Sequence, residues 1–486
     1  MLGITTTNAR VGGFRGGISA EAKTIYNRII ADGGVSNLSR LNFFVKGLKA
    51  IYGDLANVPV CYDAHWIGYK LGSGTGATAG QAAAKLYSLT VAGDAVQATA
   101  ASQPLLLAHN GASSDNYWYN PTSGNYCTTP NAASNQITGD IEMMVKLEFN
   151  NISAFQDFIS KSDASNGYSF GITNTRFLNL LIGTTPSGSV SINSTVAVIT
   201  PLSTLVYLKV TRVASSGVVT FFTSSDGITY TQLGATVTST TGNIRLGSQT
   251  LEIGQNVSGT NNRFIGKLYR ATISNSIGGT PVVDFNPATY SASTSQTAWT
   301  SATGEIWTIN TGTATSGYKG VLVDRTIVQG DGVDDYLDNP TFLRNSLMTQ
   351  YLGYSAQALS SGEQAQIIDS SLTNYNNSIC QTTSNMFSWL NSSLSNMSGS
   401  ASIINRRNIL AVNYNAGVNN NIKTNDIIGT INTYSPTPSG VGIRLFSKGG
   451  TVRSHNATIN TYVYCANNDT ANNTTMFNFL KTLNNL

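Results

Sequence analysis

Asp140-Ile-Glu-Met-Met-Val-Lys-Leu-Glu-Phe149 reads with a period of two. Ile141, Met143, Val145, Leu147 and Phe149 fall on one side, and Asp140, Glu142, Lys146 and Glu148 on the other. Successive side chains of an extended chain point to opposite faces. The alternation therefore predicts an antiparallel strand with one face on a core and the other toward water. Working outward, Val206, Leu208 and Val210 repeat the pattern. Two β runs, 218–223 and 228–233, flank Ser224-Ser-Asp-Gly227, which predicts a hairpin around an Asp-Gly turn. Residues 251–253 and 264–273 add two further strands. No helix-length segment alternates with them, so the reading is a sandwich of antiparallel sheets rather than a parallel sheet with crossover helices.

Composition agrees. The 486 residues suffice for two or three domains. Charged residues make up 11% and hydrophobic residues 41%, so Asn, Ser, Thr and 47 Gly must supply the polar surface. A disordered chain would carry more charge and fewer apolar residues, and a coiled coil would be rich in Ala, Glu, Lys and Leu. The net charge of +4 is too weak and too dispersed for a nucleic-acid surface. Arg406–Arg407, the densest basic spot, reads as a solvated strand end. No apolar run reaches the 18 residues of a membrane span, and Met1–Gly17 lacks the apolar stretch of a secretory signal, so a chain made and kept in a cytoplasm is expected. Cys61, Cys127, Cys380 and Cys465 have no CxxC spacing, which leaves zinc without support. They read as core thiols, with a Cys61–Cys127 bridge as the alternative.

The first half holds one helical stretch. Ser19 can cap a helix carrying Ala22, Ile25, Ile29 and Ile30, and Asp32-Gly33-Gly34 stops it. A second helix carries Leu38, Leu41, Val45, Leu48 and Ile51 and ends at Gly53. This hairpin is too small to hold a core of its own, so its stripe must pack on the first sandwich or on another subunit. Ile25, Ile29, Leu38, Leu41, Val45 and Leu48 are the attachment candidates. A repeat follows at a distance of about 220 residues. The order 59–63, 85–89, 103–111 and 116–119 recurs as 281–285, 304–309, 325–332 and 334–337. Residues 408–414 answer 204–210, and 458–464 answer 267–273. The expected organisation is a flexible arm at 1–17, the helical hairpin at 18–54, a first sandwich at 55–277, and a second at 278–486 that ends in a helix near 475–483.

Several motifs together carry a resemblance. A strand ends Gly330-Asp-Gly-Val-Asp-Asp-Tyr-Leu337, and strand 141–149 has the form of the one that follows it. Then come Tyr207-Leu-Lys-Val-Thr-Arg212, the hairpin Phe221-Phe-Thr-Ser-Ser-Asp-Gly227, and Phe264-Ile-Gly-Lys-Leu-Tyr-Arg-Ala-Thr-Ile273. This resembles the LamG-like, concanavalin A-type jelly roll. The implied fold is mainly β: two tandem concanavalin A-like (LamG-type) antiparallel β-sandwiches preceded by a short N-terminal helical hairpin. Gly278-Gly-Thr-Pro-Val-Val-Asp-Phe-Asn-Pro287, and the helical pair before Tyr62-Asp-Ala64, look like segments in structural proteins of tailed bacteriophages.

The resemblance directs attention to three chemistries. Glucanases of the wider fold carry Glu-x-Asp-x-x-Glu on a concave strand, and this sequence lacks it. Its nearest approach, Asp140-x-Glu142, would span roughly 7 Å, but Lys146 and Glu148 continue that face as a solvated sheet would. His65, His109 and His455 have no adjacent nucleophile, so no triad is indicated, and His65 beside Trp66 reads as packed. Calcium is the second chemistry. Asp331, Asp334 and Asp335 are its candidate ligands, with a plain charged turn as the main reading and no cofactor expected. Glycan contact is the third. Tyr117, Trp118 and Tyr119 in one copy, and Tyr375, Trp389 and Tyr414 in the other, are the candidate platforms, although such rings in a sandwich mostly fill its core.

The expected function is a non-enzymatic phage virion structural protein, a capsid decoration, head fibre or tail-associated fibre. It would display glycan-binding-type sandwiches on the particle after synthesis in the host bacterial cytoplasm. Expected partners are other virion proteins, further copies of the chain (a homotrimer by symmetry) and surface glycans, with no nucleic acid and no membrane. A tail polysaccharide depolymerase and a secreted carbohydrate-binding adhesin are the alternatives.

Overall fold

The alternation at 140–149 becomes the strand Ile141–Phe149, in which every second side chain is buried. Leu205–Arg212 pairs with it on one side and Gly266–Ser274 on the other, both antiparallel. The computed structural model describes residues 17–72, 82–90, 93–110, 112–120, 125–163, 165–185, 188–256, 262–290, 298–311, 320–330, 337–339, 347–356, 364–369, 378–382, 385–390, 393–401, 407–415, 420–424, 427–431, 443–445, 457–465 and 472–484. The sheet around Ile141–Phe149 runs 231–232, 218–224, 205–212, 141–149, 266–274, 117–120, 321–323. A second sheet runs 188–197, 177–185, 168–172, 156–160, 251–253, 125–129, 306–311, 298–300. Both close over one apolar core, where Phe149 of the first sheet meets Phe158 of the second at 5.8 Å between ring centroids.

The other sandwich has the same order in both sheets. Its first runs 427–431, 420–424, 407–415, 347–356, 457–465, 327–329, 105–107, with 60–62 also pairing to 457–465. Its second runs 69–71, 83–86, 95–96, 337–339, 443–445, 364–369, 378–382, 385–390, 393–401. The expected fold class is therefore present: mainly β, with two concanavalin A-like antiparallel sandwiches after a helical hairpin. The sheets do not part at 277/278 as expected. Residues 60–107 pair with 327–465, and residues 283–323 pair with 117–274. One sandwich, 117–323, is thus inserted into the other, which is split. The physical reason lies in the closing strands of each copy. Those of the inserted copy follow its opening strands in the chain, whereas those of the split copy precede its opening strands. Strand 105–107 also takes the place of 321–323, and 327–329 that of 117–120, so the expected match of 103–111 to 325–332 is displaced by one strand.

The helices form as read. In α1 (Ala20–Ala31) the Ser19 hydroxyl accepts from the Ala22 N–H at 3.1 Å. In α2 (Leu38–Tyr52) the Asn37 side chain accepts from the Arg40 N–H at 3.1 Å, and Gly53 ends the helix with φ 72°. The stripe is not an attachment surface. Ile25, Ile29, Leu41, Val45 and Leu48 are buried, Leu38 is half-buried, and Ile30 faces outward. They pack on Tyr351, Ile409 and Val463 of the split sandwich and on Phe477 and Leu480 of α3 (Asn473–Leu483), not on the inserted sandwich. Phe479 of α3 lies against Gly47, where a methyl group would run into its ring. Two short helices cannot cover each other's stripe, and α3 returns to complete the cover. Cys61, Cys127 and Cys465 are buried and form no disulfide, so the alternative of a Cys61–Cys127 bridge is not realised. Among the described residues no helix is long and apolar enough to cross a membrane.

The two crossings between sandwiches, 108–116 and 324–326, run side by side. The His109 N–H donates to Thr326 Oγ1 at 3.0 Å, and the Thr326 N–H donates to His65 Nδ1 at 3.1 Å. Beneath them Arg325 Nη2 donates to both oxygens of Asp63 at 2.9 and 2.7 Å, with the two side chains 2% and 0% exposed. Arg325 Nη1 also donates to Leu483 O at 2.7 Å and Asn484 Oδ1 at 3.0 Å. Asp63 accepts further from Thr461 Oγ1 at 2.6 Å and from the N–H groups of His65 and Trp66. A buried ion pair held by this many hydrogen bonds tolerates the loss of neither partner. Arg325→Leu, which strands the carboxylate, is expected to cost about 3–5 kcal/mol in urea unfolding; a loss below 1 kcal/mol would contradict the pin. Nesting has its own test. Residues 113–323 expressed alone are expected to unfold cooperatively with a β-type dichroism spectrum, whereas 278–486 alone, lacking its closing strands, is expected not to.

Candidate functional site

The aromatic candidates of the inserted copy do not face a ligand. Tyr117, Trp118 and Tyr119 lie on a strand that is buried on both faces. The Tyr117 hydroxyl donates to Ala108 O at 2.8 Å, Trp118 meets Phe285 edge to face, and the Tyr119 hydroxyl accepts from Asn150 at 3.2 Å. They fill the core and the joint between sandwiches, the usual fate of rings in sheets stacked this closely. Trp389 and Tyr414 stand on strands 385–390 and 407–415. Their side chains, together with Tyr375, Asp331, Asp334, Asp335 and His455, lie outside the described residues. Among the described residues no group of three or more His, Cys, Asp or Glu could hold a metal. Asp140 and Glu142 are tied into the fold. Asp140 accepts from the Ala214 N–H at 2.8 Å, and Glu142 accepts from the Gly278 N–H at 3.2 Å with Lys209 at 3.9 Å.

A groove lies elsewhere on the inserted sandwich. Three turns meet at one rim of the inserted sandwich: 133–139 before Ile141–Phe149, 275–282 after Gly266–Ser274, and 301–304 between two strands of the opposite sheet. They enclose a groove of about 600 Å³ lined by Ser134, Gln136, Thr138, Asn275, Val282 and Thr303 among others. No lining side chain carries a formal charge and none is aromatic. Behind it stands Glu305, 7% exposed. It accepts from Ser134 Oγ at 3.3 Å, from Ser301 Oγ at 2.7 Å and from Thr303 Oγ1. The hydroxyl protons thus point at the carboxylate, and the oxygen lone pairs of Ser134 are left for a ligand. Gln136 donates to Asn131 Oδ1 and Gly247 O, while its Oε1 has no hydrogen-bond partner. The groove has a neutral polar lining beside the apolar Ile137 and Val282. Nothing in the sequence separates its Ser, Thr, Asn and Gly residues from those of any other turn; only the buried Glu305 two positions after Thr303 is unusual.

A second polar cluster lies on the outer face of the sheet containing Gln156–Ser160. Asn193, Asn179, Gly171 and Asp157 are successive partners across four strands. Asn179 donates to Asn193 Oδ1 at 2.8 Å and Ser191 Oγ at 2.7 Å. Asp157 is 1% exposed and Glu252 6% exposed. Burial pushes both carboxyls up, Asp157 to about 6, although Asn262, Ser169 and Asn256 pull against it.

No protein-family model matches the chain, and no curated protein matches it in sequence. Among solved structures it is similar to the LG1-3 region of the laminin alpha2 chain, at 10% identity and a TM-score of 0.27, covering 72% of this chain and 62% of that one. It is similar to domains LG4-5 of mouse laminin alpha1, at 9% identity and a TM-score of 0.26, covering 76% of this chain and 92% of that one. A third is the CBM40 of the Ruminococcus gnavus IT-sialidase bound to alpha2,3 sialyllactose, at 10% identity and a TM-score of 0.27, covering 32% of this chain and 89% of that one. The chain thus spans less than two thirds of the laminin alpha2 segment. TM-scores of this size carry no argument about what the chain does.

Asp157 gives the site a pH dependence. Its pKa is higher folded, about 6, than the ordinary 3.8, so the stabilisation from its neutral form is complete below pH 4 and gone above pH 6. In EDTA-containing buffer, Asp157→Asn is expected to add about 3 kcal/mol of stability at pH 7.5 and nothing below pH 4. Unfolding curves at the two pH values check it; equal effects at both would refute the buried-charge account.

Proposed function

We propose that this chain is a non-enzymatic structural protein of a phage virion, and that it meets neutral, hydroxyl-rich glycans with the rim groove of its inserted sandwich. The observation that carries the reading is the groove itself. Its lining is uncharged, and Glu305 takes the hydroxyl proton of Ser134, which leaves that oxygen's acceptor side to the groove. Such a surface suits sugar hydroxyls, which donate well and bring no charge to be neutralised. The groove holds no aromatic platform, so contact rests on hydrogen bonds and on the apolar Ile137 and Val282. The phage context is supported by the run Gly278–Pro287, whose turn includes Val282 of the groove. Synthesis in a host bacterial cytoplasm, assembly with other virion proteins and a symmetric oligomer belong to the same reading. Anchoring through the helical stripe does not, because that stripe is buried. The depolymerase alternative has less support in this reading, in which Asp140 and Glu142 serve to hold backbone N–H groups.

Two measurements test the proposal. The full chain on a printed array of bacterial surface polysaccharides is expected to retain uncharged glycans. Asn275→Trp, an exposed change that fills the groove without touching the Glu305 network, is expected to weaken that retention at least tenfold. Equal binding by the variant would remove the groove from the reading. Mass spectrometry of purified particles is expected to find the chain at fixed stoichiometry; its absence would end the virion claim and leave the adhesin alternative.

A further inference from the structure

One histidine between the two crossings serves only as an acceptor. His65 Nδ1 takes the Thr326 N–H at 3.1 Å, and Arg40 Nη1 stands 3.5 Å from the same atom. A backbone N–H and a guanidinium can only donate. Nδ1 therefore carries no proton, and the ring is the neutral form with its proton on Nε2. Thr326 also ties the second crossing to the first, because its hydroxyl accepts from the His109 N–H at 3.0 Å. Arg40 Nη2 reaches the first crossing as well, donating to Asn110 O at 2.5 Å. The rings of His65 and His109 lie 6.4 Å apart between centroids. His109 is placed differently. Its Nε2 is 2.9 Å from Asn116 Oδ1, and Asn116 Nδ2 donates to Pro287 O at 3.2 Å, so Nε2 is the donor and a charged ring would keep that bond.

Charged groups approach from every side. The segment of His65 itself brings Asp63, whose Oδ1 accepts the His65 N–H at 2.9 Å but whose charge is met by Arg325 at 2.7 Å. α2 brings Arg40, which also feels Tyr69, and the second crossing brings Asp324 beside Arg325. The first crossing brings His109 and Asp115; burial holds the His109 ring below the ordinary imidazole value, although Asn116, Asp324 and Asp115 pull the other way. The charge in contact with His65 Nδ1 is that of Arg40. A proton there would take from the Thr326 N–H its acceptor and set a second positive charge against the guanidinium. We propose that His65 is a pH-sensitive latch between the crossings: neutral, it holds Thr326 in place and through it the first crossing, and protonated, it releases both. An open latch lets the ring take its proton at the ordinary value of about 6.5 while the closed latch resists it, so closure is complete above that pH and is lost as pH falls below it. The Asp63–Arg325 pair beneath stays closed, so neither sandwich unfolds and only the setting of one on the other loosens.

Amide hydrogen exchange of the full chain, read by mass spectrometry from pH 7.5 to pH 5 and corrected for intrinsic rates, tests this. A global unfolding midpoint would not serve, because Asp157 titrates in the same window with the opposite sign. Protection of the two crossings is expected to fall at least tenfold, while strands Ile141–Phe149 and Leu347–Ala356 keep theirs. His65→Asn keeps an acceptor near the place of Nδ1 without a titrating ring, and is expected to hold the crossings closed at both ends of the range. Arg40→Gln removes the charge that opposes the proton, and is expected to move the loss of protection to higher pH by about half a unit. His109→Gln is expected to leave the response in place. Crossings that stay protected at pH 5 overturn the proposal. So does a His65→Asn variant that responds as wild type does, a response that disappears with His109 instead, or a loss shared equally by the core strands. Should His65→Asn stand open already at pH 7.5, the Arg40→Gln profile decides alone: an unmoved or lowered midpoint rejects the latch.

Discussion

The Asp63–Arg325 pair is the constraint on which the arrangement of this molecule rests. Its partners are 262 residues apart, and the groups bonded to them, Thr461, Leu483 and Asn484, come from the far end of the chain. Burying two full charges carries a large desolvation cost, recovered only where the geometry is good and further hydrogen bonds support the pair. Here the carboxylate takes one guanidinium nitrogen, a hydroxyl and two backbone N–H groups, and that demand fixes where four segments must stand. The split sandwich, the second crossing and the end of α3 meet at one point because Asp63 and Arg325 accept no looser geometry. A hydrophobic joint of Ala82, Leu105, Tyr117 and Ile327 would hold the sandwiches together but would not specify their register so sharply.

That pin explains why the repeat was legible and its boundaries were not. Written as closing strands and opening strands, the chain runs closing, opening, closing, opening. Reading along the sequence joins each closing set to the opening set behind it, which gives sandwiches at 55–277 and 278–486. Strand pairing joins the middle two, and the outer two around them. Both divisions keep the same periodicity and the same order of elements. Only a contact between distant residues separates them, and one aspartate and one arginine in unremarkable settings give no such signal along the chain. By contrast, Ile141–Phe149, the Asp226-Gly227 hairpin and the capped helices were legible because local chemistry decides them: a period of two, a turn needing positive φ at Gly227, and side chains that satisfy free N–H groups.

The candidate sites were read less well, for a related reason. Tyr117, Trp118 and Tyr119 have the composition of a sugar platform, yet a ring that can stack on a sugar can also fill the space between sheets. Strand 117–120 lies between 266–274 and 321–323, where no face is open. The attachment stripe shows the same ambiguity. An apolar helix face says that something must cover it, and α3, some 420 residues downstream, does so. The rim groove went unread because its chemistry is carried by turn residues, whose polarity looks like ordinary solvation until a buried carboxylate is found behind them.

The sparse charge of this chain then takes on a meaning that composition alone does not give. With 11% charged residues, a soluble fold would be expected to keep nearly all of them on its surface. Instead Asp63, Arg325, Arg212, Asp157, Glu252 and Glu305 are all buried. Asp63, Arg325 and Arg212 bond backbone groups, and Asp157, Glu252 and Glu305 take side-chain donors. Arg212 donates to Thr240 O and Gly242 O at the end of its strand, and Glu305 gathers three hydroxyls behind the groove. Charge in this protein fastens loops to sandwiches, while hydroxyl and amide groups face outward. An exterior of that kind loses little to screening by salt and pays no desolvation penalty for ions on meeting a neutral partner. The buried charges hold the turns that shape the rim groove, and the uncharged side chains give that groove its chemistry.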